Sequence, residues 1–159
     1  MNLIVGMDGM QGSNDPRVTT VTYALGSCMG LTVYGPVGRG GGLLHSMVPE
    51  SSTNPEKAQG SPFLSADTGI PLFFPEVYRL GGDKERLQVK APGGGQLLND
   101  SGYFNIGKRN YMALRKILGA NRILIQTGKV GDPLNRTVRL EISSGRIRAK
   151  SSRDGEMEL

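Results

Sequence analysis

Cys28 is the only cysteine of the chain and His45 its only histidine. A thiol attacks only as the thiolate, so a nucleophilic cysteine needs a base within hydrogen-bond reach. Imidazole is the side chain suited to accept that proton near neutral pH. The base works best when a third group holds its ring in one tautomer. Thr22, just ahead of Cys28, is the candidate for that group, through its hydroxyl or its backbone carbonyl. Each residue also has an ordinary structural reading. A free cysteine commonly acts as a small buried hydrophobe, a histidine on an apolar strand is usually structural, and threonine suits any β-strand. Spacing by itself leaves both readings open.

The surrounding sequence predicts how these side chains are carried. Asn2 to Met7 reads as a short apolar strand, followed by a polar loop from Asp8 to Pro16. Val18 to Leu25 alternates Val and Thr with Tyr, which suits a half-buried strand broken by Gly26 and Ser27. In Cys28 to Tyr34 the residues Met29, Leu31 and Val33 share one parity and predict a second strand. Gly35-Pro36 and the cluster Gly38, Gly40, Gly41 and Gly42 read as a turn, and Leu43 to Val48 returns antiparallel. In such a hairpin Cys28 and His45 come together near one end.

Further along, Pro49 to Pro62 reads as loop. The spacing of Ile70, Phe73, Phe74, Val77 and Leu80 predicts a helix over Asp67 to Leu80, kinked or shortened at Pro75. Leu87 to Lys90 reads as a strand. A second helix is expected over Ile106 to Leu118, with Asn105 as its N-cap. Strands are expected at Arg122 to Gln126, Thr137 to Ile142 and Arg146 to Lys150. The class is therefore mixed α/β: residues 1–150 as a single layered domain with one sheet and helices packed on it, and a polar, frayed tail over residues 151–159.

Composition narrows the function classes. The 159 residues make one domain, and 33 of them are Gly or Pro, short of the level that marks disorder. One Cys and one His allow neither an internal disulfide nor a Cys/His zinc site, and a lone thiol suits a reducing cytoplasm. No apolar run is long enough to span a membrane, and Asp8 interrupts an N-terminus without a basic region, so a signal peptide is not expected. The net charge of +5 favours acidic partners. Basic residues gather at Lys108, Arg109, Arg115, Lys116 and Arg122, and again at Arg146, Arg148, Lys150 and Arg153. With few aromatics and no Trp, base stacking is poorly supplied, and a solvated face or a docking surface for an acidic protein is the better reading than nucleic-acid binding. Two Gly-x-Gly starts lack the third glycine of a dinucleotide fingerprint. The phosphate-loop spacing over Gly102 to Lys108 is followed by Arg109 where Ser or Thr would hold magnesium.

At the candidate site the sequence resembles the CheD family, the chemoreceptor glutamine deamidases of bacterial and archaeal chemotaxis. The matching core is Thr22-Tyr23-Ala24-Leu25-Gly26-Ser27-Cys28, then His45-Ser46-Met47-Val48-Pro49. Lys90 with Gly93-Gly94, the run Asn105-Ile106-Gly107-Lys108-Arg109-Asn110, and the ending from Arg136 to Gly145 extend the resemblance over about residues 2 to 150. The sequence departs from the family pattern at Pro92, Gly95, Pro75 and Asp132-Pro133-Leu134-Asn135, positions that bear on groove and partner surfaces rather than on the three candidate catalytic residues.

The resemblance implies a cysteine amidohydrolase without metal or organic cofactor, with a fold similar to that of bacterial deamidase toxins. Cys28, His45 and Thr22 fall on the family's catalytic positions. Ser27 is expected near the oxyanion, and Ser46 is a candidate substrate contact. For Asn105 and Asn110 both helix capping and substrate contact stay open. The implied substrates are glutamines, and methyl esters, on the cytoplasmic helices of methyl-accepting chemoreceptors. A CheC-type phosphatase is an implied partner. The alternative is an adaptor that binds such a phosphatase and receptors without catalysis; an unrelated thiol hydrolase acting on a small amide is a third reading. The enzyme readings expect a Cys28 thiol that ionises below the ordinary value.

Overall fold

In the computed structural model, which describes residues 1–26, 28–53, 55–92, 106–126, 136–151 and 155–159, the β-favouring runs of the N-terminal third form five strands. These are β1 (Asn2–Val5), β2 (Met10–Ser13), β3 (Thr19–Leu25), β4 (Met29–Gly35) and β5 (Gly40–Ser46). They are followed by α1 (Pro55–Gly60), α2 (Ala66–Arg79), β6 (Gln88–Lys90), α3 (Ile106–Ala120), β7 (Arg136–Glu141), β8 (Ile147–Ser151) and β9 (Gly155–Glu158).

The strands sort into two sheets rather than the single expected one. One has the order β1-β3-β7-β8-β9 and the other β2-β5-β4-β6. Side-chain parity decides the layering. On one face of β4, Met29, Leu31 and Val33 pack with Ile70, Phe73, Phe74 and Val77 of α2 and with Leu114 and Leu118 of α3. On the opposite face, Cys28 and Tyr34 pack with Val138, Leu140, Ile147 and Ala149 of the other sheet. The four-stranded sheet is thus the middle layer, which is why β4 and β5 are buried at every position. In β7, which has one face toward the core, buried and half-buried residues alternate.

β4 and β5 form the expected antiparallel pair, with Gly30 opposite His45 and Gly35 opposite Gly40. The glycine cluster is not all turn: Gly40, Gly41 and Gly42 belong to β5. A Cβ at Gly40 would run into the Leu80 carbonyl, and one at Gly42 would sit 2.9 Å from the Phe73 ring. These glycines therefore let α2 lie against the sheet.

Several expectations change. α2 is not shortened at Pro75 but continues past both Pro71 and Pro75 to Arg79. Each internal proline costs roughly 3 kcal/mol, but burying Ile70, Phe73, Phe74 and Val77 returns roughly 1.5–3 kcal/mol apiece. The polar stretch Asp8 to Pro16 contains β2, held by backbone pairing to β5 that side-chain pattern does not reveal. α1 lies inside the expected loop Pro49 to Pro62. Arg122 to Gln126 forms no strand: only the Gln126 amide reaches β6, donating to the Val89 carbonyl at 2.8 Å, and Leu124 is 83% exposed. The end of the chain does not simply fray, because β9 pairs antiparallel with β8 and Met157 and Leu159 pack on the inter-sheet core. Among the described residues, no helix is long and apolar enough to cross a membrane.

Candidate active site

The site lies where the two sheets face each other at one end of β3, β4 and β5. Thr22 belongs to β3, just before an irregularity in its pairing with β7 between Thr22 and Leu25. There Ala24 takes a positive φ of 56° and its carbonyl accepts from the Gly26 amide at 3.0 Å. This bend turns the chain out of the first sheet and into β4 of the second. Gly30 follows under tight constraint. A Cβ there would lie 2.9 Å from Leu25 and 3.3 Å from Pro92, while its amide donates to the Pro92 carbonyl.

Register places the two candidate reacting side chains. His45 is opposite Gly30, and Cys28 precedes Gly30 by two positions, so both point to the inter-sheet face of the second sheet. Diagonal neighbours of this kind are within reach of longer side chains. Cys28 is a free thiol, 8% exposed, and His45 is fully buried.

The hydrogen bonds around His45 determine its tautomer. The Thr22 hydroxyl donates to the Val5 carbonyl at 2.9 Å and lies 2.6 Å from His45 Nδ1. A hydroxyl has one proton and a carbonyl can only accept, so Thr22 Oγ1 accepts from Nδ1–H. The neutral ring then carries its lone pair on Nε2, which is buried and makes no hydrogen bond among the described residues. Thr22 therefore meets the ring through its hydroxyl. The His45 backbone amide donates to the Gly9 carbonyl at 3.0 Å, which anchors the strand beneath the ring.

Burial sets the charge state. It pushes the His45 ring down to about 4, with Asp8 opposing, and pushes the Cys28 thiol above its ordinary value, with the Cys28 amide partly opposing. Both shifts favour the neutral forms, a thiol and an imidazole that share one face of the hairpin. This differs from the expectation of a thiol ionised below its usual range, because desolvation outweighs the nearby amide.

The remaining candidates are placed differently. Ser46 has the opposite parity to His45 and is directed to the carbonyls of Leu64 and Val48 at 3.3 and 3.4 Å, away from the shared face. Asn110 is buried on α3 and donates through Nδ2 to the Met47 carbonyl at 3.0 Å, tying the helix to the end of β5. Ser27, Asn105 and the Gly93-Gly94 pair lie outside the described residues. Val5 and Gly9 serve the site through backbone carbonyls. No side-chain pattern signals such roles; only the parallel pairing of β1 with β3 brings Val5 beside Thr22.

This arrangement defines a class: mixed α/β proteins in which a lone thiol shares a strand-hairpin face with an imidazole oriented by a neutral hydroxyl. The family model described as CheD chemotactic sensory transduction matches residues 47–151. A "Probable chemoreceptor glutamine deamidase CheD 1" from Syntrophus aciditrophicus is 44% identical over 151 residues, covering 95% of this chain and 94% of the relative. One from Solibacter usitatus is 44% identical over 145 residues, 91% of this chain and 86% of the relative. An archaeal counterpart from Pyrococcus horikoshii is 35% identical over 138 residues, 86% of this chain and 84% of the relative. The chain belongs to the CheD family, and with it to the hydrolase-type enzymes.

Proposed function

We propose that the chain is a cytoplasmic protein-glutamine deamidase of chemotaxis, converting selected glutamine side chains of chemoreceptors to glutamate with release of ammonia. Cys28 is the nucleophile, His45 the proton carrier and Thr22 the group that orients it. The observation that supports this most directly is the Val5–Thr22–His45 hydrogen-bond chain, which puts the basic lone pair on Nε2 of a ring that shares its face with the thiol.

The neutral resting pair sets the course of the reaction. The thiol proton passes to Nε2 as sulfur attacks the glutamine amide carbon, so no free thiolate accumulates. The carbonyl π electrons move onto oxygen. The Cys28 amide, already placed to favour negative charge at the sulfur, and the region of Ser27 are the proposed oxyanion donors. Collapse of the tetrahedral adduct expels the nitrogen, which takes the proton from Nε2 and leaves as ammonia, and a Cys28 thioester remains. Water then gives a proton to Nε2 as it attacks the thioester. The sulfur leaves and recovers that proton, and glutamate is released. A glutamyl methyl ester would follow the same steps with methanol leaving.

The reading carries with it the fold kinship to bacterial deamidase toxins implied by the family resemblance, and a CheC-type phosphatase as a partner that would compete for the same mouth. The charge of +5 suits an acidic receptor helix. The test is mass spectrometry of a receptor cytoplasmic fragment incubated with wild type and with Cys28→Ala. Wild type should produce the Gln-to-Glu mass gain and Cys28→Ala none, while both give the same folded circular-dichroism spectrum. Conversion by Cys28→Ala would end the proposal. Binding without conversion by either protein would favour the adaptor.

A further inference from the structure

In the proposed reaction His45 must hold a positive charge twice, yet the groups that touch it are neutral: the Thr22 hydroxyl at Nδ1 and the Gly9 carbonyl at its backbone amide. The five strands that surround it, β1 to β5, contain no Asp, Glu, Lys or Arg. Their titratable groups are Cys28 just ahead of β4, an exposed Tyr23, and Tyr34, whose hydroxyl donates to the Ile142 carbonyl at 2.9 Å. From β7, the buried Arg136 adds positive charge to the same inter-sheet layer, opposite Leu25. α3 contributes the exposed cation Arg109 near its start. After β5, Glu50 accepts from Ser52, and Asp67 on α2 accepts from Ser51.

Among the described residues, one carboxylate is left against this background. Asp8 sits in the turn closed by the Gly9 amide on the Gly6 carbonyl at 3.2 Å. Both flanks of that turn are fastened to the histidine: Val5 through the Thr22 hydroxyl, and Gly9 through the His45 backbone amide. We propose that Asp8 is the counter-charge of the His45 imidazolium, an electrostatic positioning residue that supplies what the neutral Thr22 cannot. Consistent with this geometry, the Asp8 charge acts on the ring against the effect of burial. An exposed carboxylate acts through solvent, so its influence is sensitive to salt. The role rests on the deamidase reading for its purpose, but the electrostatic coupling does not.

Because His45 is the only histidine, its ring can be titrated by NMR without substrate. Wild type, Asp8→Asn and Asp8→Glu are compared at low and at high salt on the upper limb of the ring's titration, between about pH 4.5 and 6. At low salt Asp8→Asn should lower the ring's proton affinity by about two- to fivefold, Asp8→Glu should keep it near wild type, and high salt should remove the difference. On a glutamine-bearing receptor fragment, kcat of Asp8→Asn at neutral pH should fall by a similar factor with KM unchanged. Asp8→Asn titrating like wild type at low salt overturns the proposal, as does a loss of kcat with no change in ring titration. If no variant converts glutamine while the ring titration still shifts, the deamidase reading fails and the counter-charge stands.

Discussion

Thr22 occupies a place where an acidic side chain is often found behind a catalytic histidine, and its neutrality has consequences. Its hydroxyl settles the tautomer only because the Val5 carbonyl takes its single proton. Replacing it by Val keeps the shape and deletes the acceptor, leaving Nδ1–H unpaired in a buried position. Thr22→Val should therefore lose about 1–3 kcal/mol of stability in denaturant unfolding. Deamidation should fall by about ten- to a hundredfold as the ring loses its preferred tautomer. Thr22→Ser should recover most of both. The trio was legible in the sequence as candidates, since a nucleophilic thiol needs a base and a group to orient it, although spacing alone left their structural readings open. The direction of the hydrogen bonds was not, because it depends on Val5, a residue whose side chain takes no part.

At the scale of elements, the site depends on strands that local pattern reads unevenly. β4 is recognisable from alternation, the apolar half of β5 from its return after the glycine turn, and α2 from its apolar spacing. β2 and β9 are largely polar in sequence and owe their strand form to pairing with β5 and β8. β9 covers the free edge of β8 and brings Met157 and Leu159 onto the core that also holds Cys28. A chain ending at Ser151 should accordingly unfold at lower denaturant concentration, by about 2–4 kcal/mol for two partly buried side chains and an uncovered edge. It should also show a greater tendency to self-associate in light scattering. An unchanged midpoint would mean that β9 adds nothing to the fold. Arg122 to Gln126 illustrates the converse: Ile123 and Ile125 meet the core, but among the described residues only the Gln126 amide bonds to β6, too little for a ladder.

For the whole molecule, burying His45 between the sheets ties activity to stability. In the folded protein the ring titrates at about 4 and in the unfolded chain near its ordinary 6.5. Between these values the unfolded state binds a proton that the folded state does not, so stability falls as pH drops from 6.5 to 4. The loss from this group totals about 3 kcal/mol and levels off below the folded value. Equilibrium unfolding from pH 7 to 4 should show this slope in wild type and a flatter one in His45→Gln. Equal slopes would place the ring's proton elsewhere.

By itself the sequence determined the chemistry available and much of its framing: one thiol, one imidazole, a hydroxyl one strand away, and a hairpin that brings the first two near one end. Those are local properties, carried by residue type and by the two-residue period of a strand. The tertiary structure decided the rest: a middle sheet buried on both sides, the register that sets Cys28 and His45 on one face, the tautomer of His45, the burial that disfavours charge on both, and the turn whose Gly9 carbonyl holds the His45 backbone. Each of these depends on segments distant in the chain meeting across a desolvated gap, where the absence of water sets which protonation state survives.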